Sequence, residues 1–300
     1  MVGIQGKEGM GSFYRPRGRL PIGCDGMSKS DKTDGTIGFI GSGRMARAMV
    51  TGLLRSGARK PEALRCTSAA DGTGEALAAD TGIRWEPEVE PLIAASDIVV
   101  LAMKPQQLAD FPVALGERAE GRLVLSILAG TSLSVLAERF PVARNIIRIM
   151  PNTPGAIGAG ISGWCYQRVP EPGDRESVGQ LLQSLGRAVE VEEKDMDAVT
   201  AVSGSGPAYV FEMAASLVAA ALKEGLSEEV AKELVLHTLL GASRLLVESG
   251  RDPELLRNDV TSPGGTTQAA LEEMKEADFR GLMQRAVSAA RRRSEELSGS

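Results

Sequence analysis

The chain has 300 residues, with 34 Lys and Arg against 39 Asp and Glu and a formal net charge of −5. With aromatic residues at only 4% and no basic block, the composition speaks against a nucleic-acid groove, a base-stacking platform or an anionic membrane surface as partner. One histidine, His237, and three cysteines, Cys24, Cys66 and Cys165, without a C-x-x-C pair argue against a metal centre, a disulfide framework and a His-based triad, and fit the reducing cytoplasm.

The length suggests two domains. Residues 1–34 are rich in Gly, Ser, Lys and Arg, have no apolar period and lack the apolar core of a secretory signal, so they read as a disordered extension. Met27 is an alternative start, and a transit or regulatory segment is a further alternative.

From Thr36 the order is strand, glycine turn, helix. The apolar run at 36–40 leads directly into Gly41-Ser42-Gly43-Arg44-Met45-Ala46, after which Met45, Met49, Leu53 and Leu54 recur at helical spacing. This is the dinucleotide fingerprint in its proper context. Gly41 permits the tight turn, Gly43 lets the backbone approach a pyrophosphate, and Ala46 stands where helix and strand pack closely. A tight βα turn without a ligand is the plainer alternative. At the end of the next apolar segment, where an acidic residue would bind the ribose of NAD, stand Thr67 and Ser68, with Arg65 close by. A 2′-phosphate would not be repelled there. NADPH is therefore the expected cofactor, and Asp71, three residues on, leaves NADH open.

The alternation continues with helices expected over 74–80, 91–95 and 175–185, and extended segments over 83–85, 97–102, 123–128, 146–150, 159–165 and 188–191. Repeated βα units imply a parallel sheet covered on both faces, with ligand bound outside the carboxyl ends of the strands. Met103, Lys104 and Pro105, then Ala129, then Asn152 fall at those ends. Lys104 as a solvated cation and Asn152 as the holder of its own turn are the ordinary alternatives.

Beyond Glu192 helical periodicity takes over, giving an expected division into a nucleotide-binding domain at 35–194 and a helical domain at 195–300. The segment 207–222 is apolar nearly all round, is interrupted by Glu212, and falls short of the roughly 20 residues a membrane span requires. It must be enclosed by its own bundle or by a second chain, and dimerisation is the economical reading. Two turns in this half gather small and hydroxyl residues at helix starts: Ser203-Gly204-Ser205-Gly206-Pro207 and Ser262-Pro263-Gly264-Gly265-Thr266-Thr267. In the second, Thr266 or Thr267 is expected to cap the following helix, whose unpaired N–H groups attract a carboxylate or phosphate. An ordinary Ser-Pro-Gly turn before a capped helix is the alternative.

With these residues in view the chain resembles the pyrroline-5-carboxylate reductases. The resemblance rests on Asp197-Ala198-Val199-Thr200-Ala201-Val202-Ser203-Gly204-Ser205-Gly206-Pro207-Ala208-Tyr209 and on Val260-Thr261-Ser262-Pro263-Gly264-Gly265-Thr266-Thr267. It is supported by Ile149-Met150-Pro151-Asn152-Thr153-Pro154 and by the glycine turn, and it covers residues 36–297. It implies an α/β Rossmann-type domain followed by an all-α dimerisation domain, often in rings of dimers, and reduction of 1-pyrroline-5-carboxylate to L-proline by NAD(P)H. Ser262, Gly264, Gly265 and the loop amides would take the substrate carboxylate, and the Thr267 hydroxyl would face the ring nitrogen. The chain departs from the family at Glu88-Val89-Glu90, where Asn is usual, at His237, where Gln is usual, and at Arg44, where Asn is common. Among the alternatives, 3-hydroxyacid dehydrogenases and related imine reductases depend on a lysine in a glycine-rich helix, and residues 203–213 contain none. A dinucleotide-binding sensor would have no use for the substrate loop.

Overall fold

The computed structural model describes residues 35–298, so the expectation for 1–34 lies outside the described residues. Eight strands form one sheet: β1 (Ile37–Ile40), β2 (Leu64–Thr67), β3 (Arg84–Trp85), β4 (Ile98–Leu101), β5 (Leu123–Ser126), β6 (Asn145–Met150), β7 (Gly160–Tyr166) and β8 (Gly186–Glu190), in the order β3-β2-β1-β4-β5-β6-β7-β8. All neighbours run parallel except β6 and β7. The reversal of order between β1 and β4 makes the crevice at their carboxyl ends the topological switch point.

The unbroken apolar character of β1, β4 and β5 has a direct cause, because alternate residues feed two cores. Ile37, Phe39, Ile98 and Val100 pack with α1 (Arg44–Arg55), α2 (Thr73–Thr81) and, further along the chain, the Pro172–Leu185 helix. Ile40, Val99 and Leu101 pack on the other face with α3 (Val89–Ala94), α4 (Gln106–Ala109) and α6 (Leu133–Arg139). Between those last two lies α5 (Val113–Glu117), and the Pro172–Leu185 helix is α7. Met49 and Leu53 of α1 are fully buried, each contributing about 2 kcal/mol of transfer free energy to holding that helix on the sheet. The sequence gives no sign of α4, α5 or α6. Helices of four to seven residues are too short to display a period, although Ser132 does cap α6 by accepting the Val135 N–H at 3.3 Å.

The helical half comprises α8 (Met196–Val199), a π-helical turn (Thr200–Gly204), α9 (Gly206–Lys223), α10 (Glu228–Ser249), α11 (Pro253–Asp259), α12 (Thr266–Glu276) and α13 (Phe279–Ser298). Ser227 caps α10 as its position suggests, accepting the Val230 N–H. One expectation needs correction here, and of the two enclosures considered for the apolar helix one is removed. The apolar helix does not begin at 207: it continues a helical run from Glu193 to Lys223, 31 residues, which by length and composition is long and apolar enough to cross a membrane. Nor does the bundle of this chain enclose it, since α9 has no buried residue and Phe211 is 65% exposed. Leu234, Leu236, Leu240 and Leu245 of α10 are exposed in the same way.

This half is anchored to the sheet through a few specific contacts. Met196 enters the core, and Val199 fills the space above Gly163 of β7. Arg148 of β6, almost wholly buried, pairs with Glu193 at 3.5 Å and approaches Asp197 at 4.0 Å. Glu193 also accepts the first N–H of α6, from Leu133, at 2.6 Å, and Asp197 accepts the hydroxyl of Ser294 on α13 at 2.6 Å. The buried Arg148 charge thus meets opposite charge, and both carboxylates also accept hydrogen bonds, the condition under which such a group is tolerated.

Candidate active site

The crevice at the switch point is built from the chain segments that leave β1, β4, β5 and β6. Gly41 has φ +107, and a Cβ there would lie 2.5 Å from the Ala102 carbonyl carbon and oxygen and 2.6 Å from the Met103 nitrogen. The turn after β1 therefore abuts the turn after β4, as only glycine allows. Its N–H donates to the Thr67 carbonyl at 2.9 Å, which also ties in the end of β2. At Gly43 the situation is the opposite: a Cβ would meet nothing within 4 Å. Gly43 is the N-cap residue of α1 without a side-chain cap, so the first N–H groups of a 12-residue helix face open space. Such a helix start attracts a phosphate group. Ala46 is buried against the sheet, while Arg44 is exposed and Met45 half-buried at the mouth. The Ser42 hydroxyl lies 2.6 Å from that of Thr73 and links the glycine turn to the start of α2.

At the end of β2 the side chains are more committed than their sequence suggests. Thr67 is 2% exposed, and the Ser68 hydroxyl accepts the Gly74 N–H at 3.1 Å while donating to the Ala69 carbonyl at 2.9 Å. Arg65 is paired with Glu86 at 3.2 Å. Asp71 turns onto Thr73, accepting both its N–H and its hydroxyl, and these hydrogen bonds hold the carboxyl below the usual range. The carboxylate that could have selected the ribose of NAD is thus engaged in shaping its own turn.

Met103 is half-buried and Lys104 exposed, with the Lys104 backbone N–H donating to Gln107 Oε1 at 2.9 Å. Pro105 lines a cavity of about 340 Å³ shared with Thr131, Arg139 and Leu297, away from the glycine turn. Ala129 is half-buried, and beside it Gly130 is packed by Leu297, so α13 returns to the sheet at the end of β5. Asn152 follows β6, and its Oδ1 accepts the Ile161 N–H at 3.0 Å, holding the entry into β7. The turn at 203–206 comes to the same edge: a Cβ on Gly204 would lie 2.6 Å from Cε of Met150. Neither core thiol contributes to the site, because burial pushes Cys66 up to about 11 and Cys165 up to about 12.

The second loop folds as a turn in which the Gly265 N–H donates to the Ser262 carbonyl at 3.0 Å and Gly264 adopts φ +68. Neither threonine caps the helix, contrary to expectation. Gly265 is the N-cap residue, Thr266 and Thr267 already belong to α12, and no cap side chain bonds to the helix start. Gln268 supplies what ordering there is, its Oε1 accepting the Gly264 N–H at 2.8 Å and its Nε2 donating to Glu272 at 2.8 Å. Ser262 and Thr266 are exposed and Thr267 is half-exposed. Among the described residues α12 packs on α13 and has no comparable packing against a strand or a helix of the sheet half. The Arg148 network, the π-helical turn and the return of α13 to Gly130 have no local signature in the sequence. Asp197, a few residues ahead of the small-residue turn, is the signal the sequence offers.

A glycine turn at the switch point of a doubly wound sheet, with an open helix start beside it and a helical half attached, defines an NAD(P)-dependent oxidoreductase of the Rossmann class. Residues 36–130 match the family model described as NADP oxidoreductase, coenzyme F420-dependent, and residues 193–297 match that for pyrroline-5-carboxylate reductase dimerisation. The chain is 36% identical over 262 residues to pyrroline-5-carboxylate reductase 2 of Bacillus subtilis, covering 87% of this chain and 94% of that one. It is 37% identical over 264 residues to the pyrroline-5-carboxylate reductase of Glycine max, covering 88% and 96%. Among solved structures it is similar to the pyrroline-5-carboxylate reductase of Coxiella burnetii, with a TM-score of 0.82, 32% identity and coverage of 88% and 99%. The Plasmodium falciparum pyrroline carboxylate reductase with NADP bound gives a TM-score of 0.76, 31% identity and coverage of 89% and 99%. The chain belongs to the pyrroline-5-carboxylate reductase family.

Proposed function

We propose that the chain reduces 1-pyrroline-5-carboxylate to L-proline with NADPH, on the strength of its similarity to these reductases over both the sheet half and the helical half. The division at 194/195 then separates cofactor binding from dimerisation and substrate binding. Residues 41–46 hold the pyrophosphate, with the first N–H groups of α1 as donors and Gly43 leaving room for its approach. Thr67 and Ser68 bound the adenosine end, while Met103, Lys104, Pro105, Ala129 and Asn152 border the path toward the nicotinamide. When bound, the cofactor supplies hydride to the C=N carbon. The protein contributes orientation: Ser262, the amides of Gly264 and Gly265 and the start of α12 take the carboxylate, with Thr266 beside them and the Thr267 hydroxyl toward the ring nitrogen. A hydroxyl suffices there, because it can both accept and donate as the imine becomes an amine.

The exposed faces of α9 and α10 are the proposed seam with a second copy, and rings of such dimers are the proposed larger assembly. In that assembly the partner copy brings the exposed substrate loop over a crevice. The same seam accounts for the apolar run at 193–223 without a membrane, since that run carries Glu193, Lys194, Asp195, Asp197 and Glu212. Neither a membrane nor a nucleic acid is a proposed partner. The cytoplasm is the proposed setting, in keeping with free thiols at Cys66 and Cys165.

The test follows absorbance of the reduced nicotinamide with purified protein and pyrroline-5-carboxylate, once with NADPH and once with NADH. Oxidation that requires the substrate and is faster with NADPH is expected. Cofactor binding without oxidation by either would overturn the reaction.

A further inference from the structure

The helical run from the sheet to α9 is interrupted by the π-helical turn, in which the Ser205 N–H donates to the Thr200 carbonyl at 2.8 Å, five residues back. One inserted residue rotates everything beyond it by about 100° relative to an unbroken helix. Such a turn is unstable without support, and here the difficulty is compounded because Pro207 has no N–H to give to the carbonyls one turn behind it. The support comes from side chains. Thr200 and Ser203 donate their hydroxyls to the carbonyls of Met196 and Val199, at 2.8 and 2.9 Å. From the far side of the turn, the half-buried Tyr209 donates its hydroxyl to the carbonyl of Ala201 at 3.0 Å.

The turn has a consequence at the crevice. It seats Gly204 on Met150, the last residue of β6, two residues ahead of Asn152. Arg148, on the same face of β6 two residues earlier, holds Glu193 and Asp197 at the other end of this segment. The segment is thus pinned at its start by charge and at its end by a close contact, and the π-helical turn takes up the rotational mismatch between the two.

We propose that Tyr209 is a positioning residue for the reduction, acting through the Ala201 carbonyl to hold the turn that places residues 203–206 at the carboxyl edge of β6. Loss of the hydroxyl leaves the Ala201 carbonyl without its partner, loosens the turn and carries Gly204 off Met150, away from the substrate side of the crevice. The proposal rests on the reaction assigned above.

The test is Tyr209→Phe in the full chain, beside a variant with 4-aminophenylalanine at 209, which keeps a donor at the same place. For Tyr209→Phe we expect the NADPH dissociation constant to stay within about twofold and the dimer to persist, while kcat falls about tenfold and KM for pyrroline-5-carboxylate rises. The donor-bearing variant is expected to recover most of the loss. Kinetic constants within twofold of the parent overturn the proposal. So does a parallel loss of NADPH binding and turnover that the donor-bearing variant fails to rescue, which would mark Tyr209 as scaffold only. Amide hydrogen exchange at Ser205 and Gly206 gives a reading independent of activity: it should quicken in Tyr209→Phe, and unchanged exchange sinks the proposal. An inactive parent protein would instead sink the assigned reaction.

Discussion

Two glycines two residues apart make opposite demands, and their substitution separates folding from cofactor binding. Gly43 has φ −65 and ψ −176, which alanine adopts freely, and its Cβ would enter open space. Exchanging glycine for alanine at an N-cap costs up to about 1 kcal/mol, and the stiffer unfolded chain returns about 0.4–1 kcal/mol, so Gly43→Ala should leave the melting temperature nearly unchanged. The same methyl group stands where a pyrophosphate must approach α1. Loss of one charge-assisted hydrogen bond, about 1.5–3 kcal/mol, predicts NADPH binding weaker by roughly 10- to 150-fold. At Gly41 the methyl would strike backbone atoms 2.5 Å away in a conformation at φ +107. Overpacking of about 1–3 kcal/mol and backbone strain of about 1–2 kcal/mol predict a Gly41→Ala protein less stable by about 2–5 kcal/mol. Fluorescence titration of NADPH and thermal unfolding of both variants provide the comparison. Parental NADPH affinity in Gly43→Ala would show that the pyrophosphate does not pass that residue, and the proposed cofactor path would have to be abandoned.

Thr267→Ala should reduce turnover by about 10- to 100-fold while NADPH affinity stays within twofold. If cofactor binding collapsed and turnover per bound complex survived, the role given to Thr267 would be wrong. Phe211→Asp, alone and with Leu222→Asp, places charge on one exposed apolar face of α9 and should convert the dimer to monomer in size-exclusion chromatography with light scattering. Variants that remain dimeric would move the seam elsewhere.

The nucleotide half was legible because its signals are local. An apolar run, two glycines and the onset of helical spacing follow one another directly in the chain, and the structure realises them as β1, the 41–46 turn and α1. The helical character of the chain beyond Glu192 was legible for the same reason. What escaped depends on contacts distant in sequence. The commitment of Arg65 to Glu86 and of Arg148 to Glu193 and Asp197 pairs residues 21 to 49 positions apart, as the salt bridges record. The π-helical turn displaces an apolar pattern by a single residue, too little to stand out against helical scatter. At α12 the nearest hydroxyls drew the capping role, yet the backbone begins its helix one residue earlier, and a glutamine at the third helical position does the ordering.

The uncovered apolar faces of α9 and α10 carry a thermodynamic consequence. A fold whose second hydrophobic surface is completed only by another copy draws part of its stability from association, and that part scales with the logarithm of protomer concentration. On the proposed seam, dilution acts as a mild denaturant: it withdraws the partner and exposes the apolar helices to water. For such a protein, abundance itself sets part of the stability of each molecule.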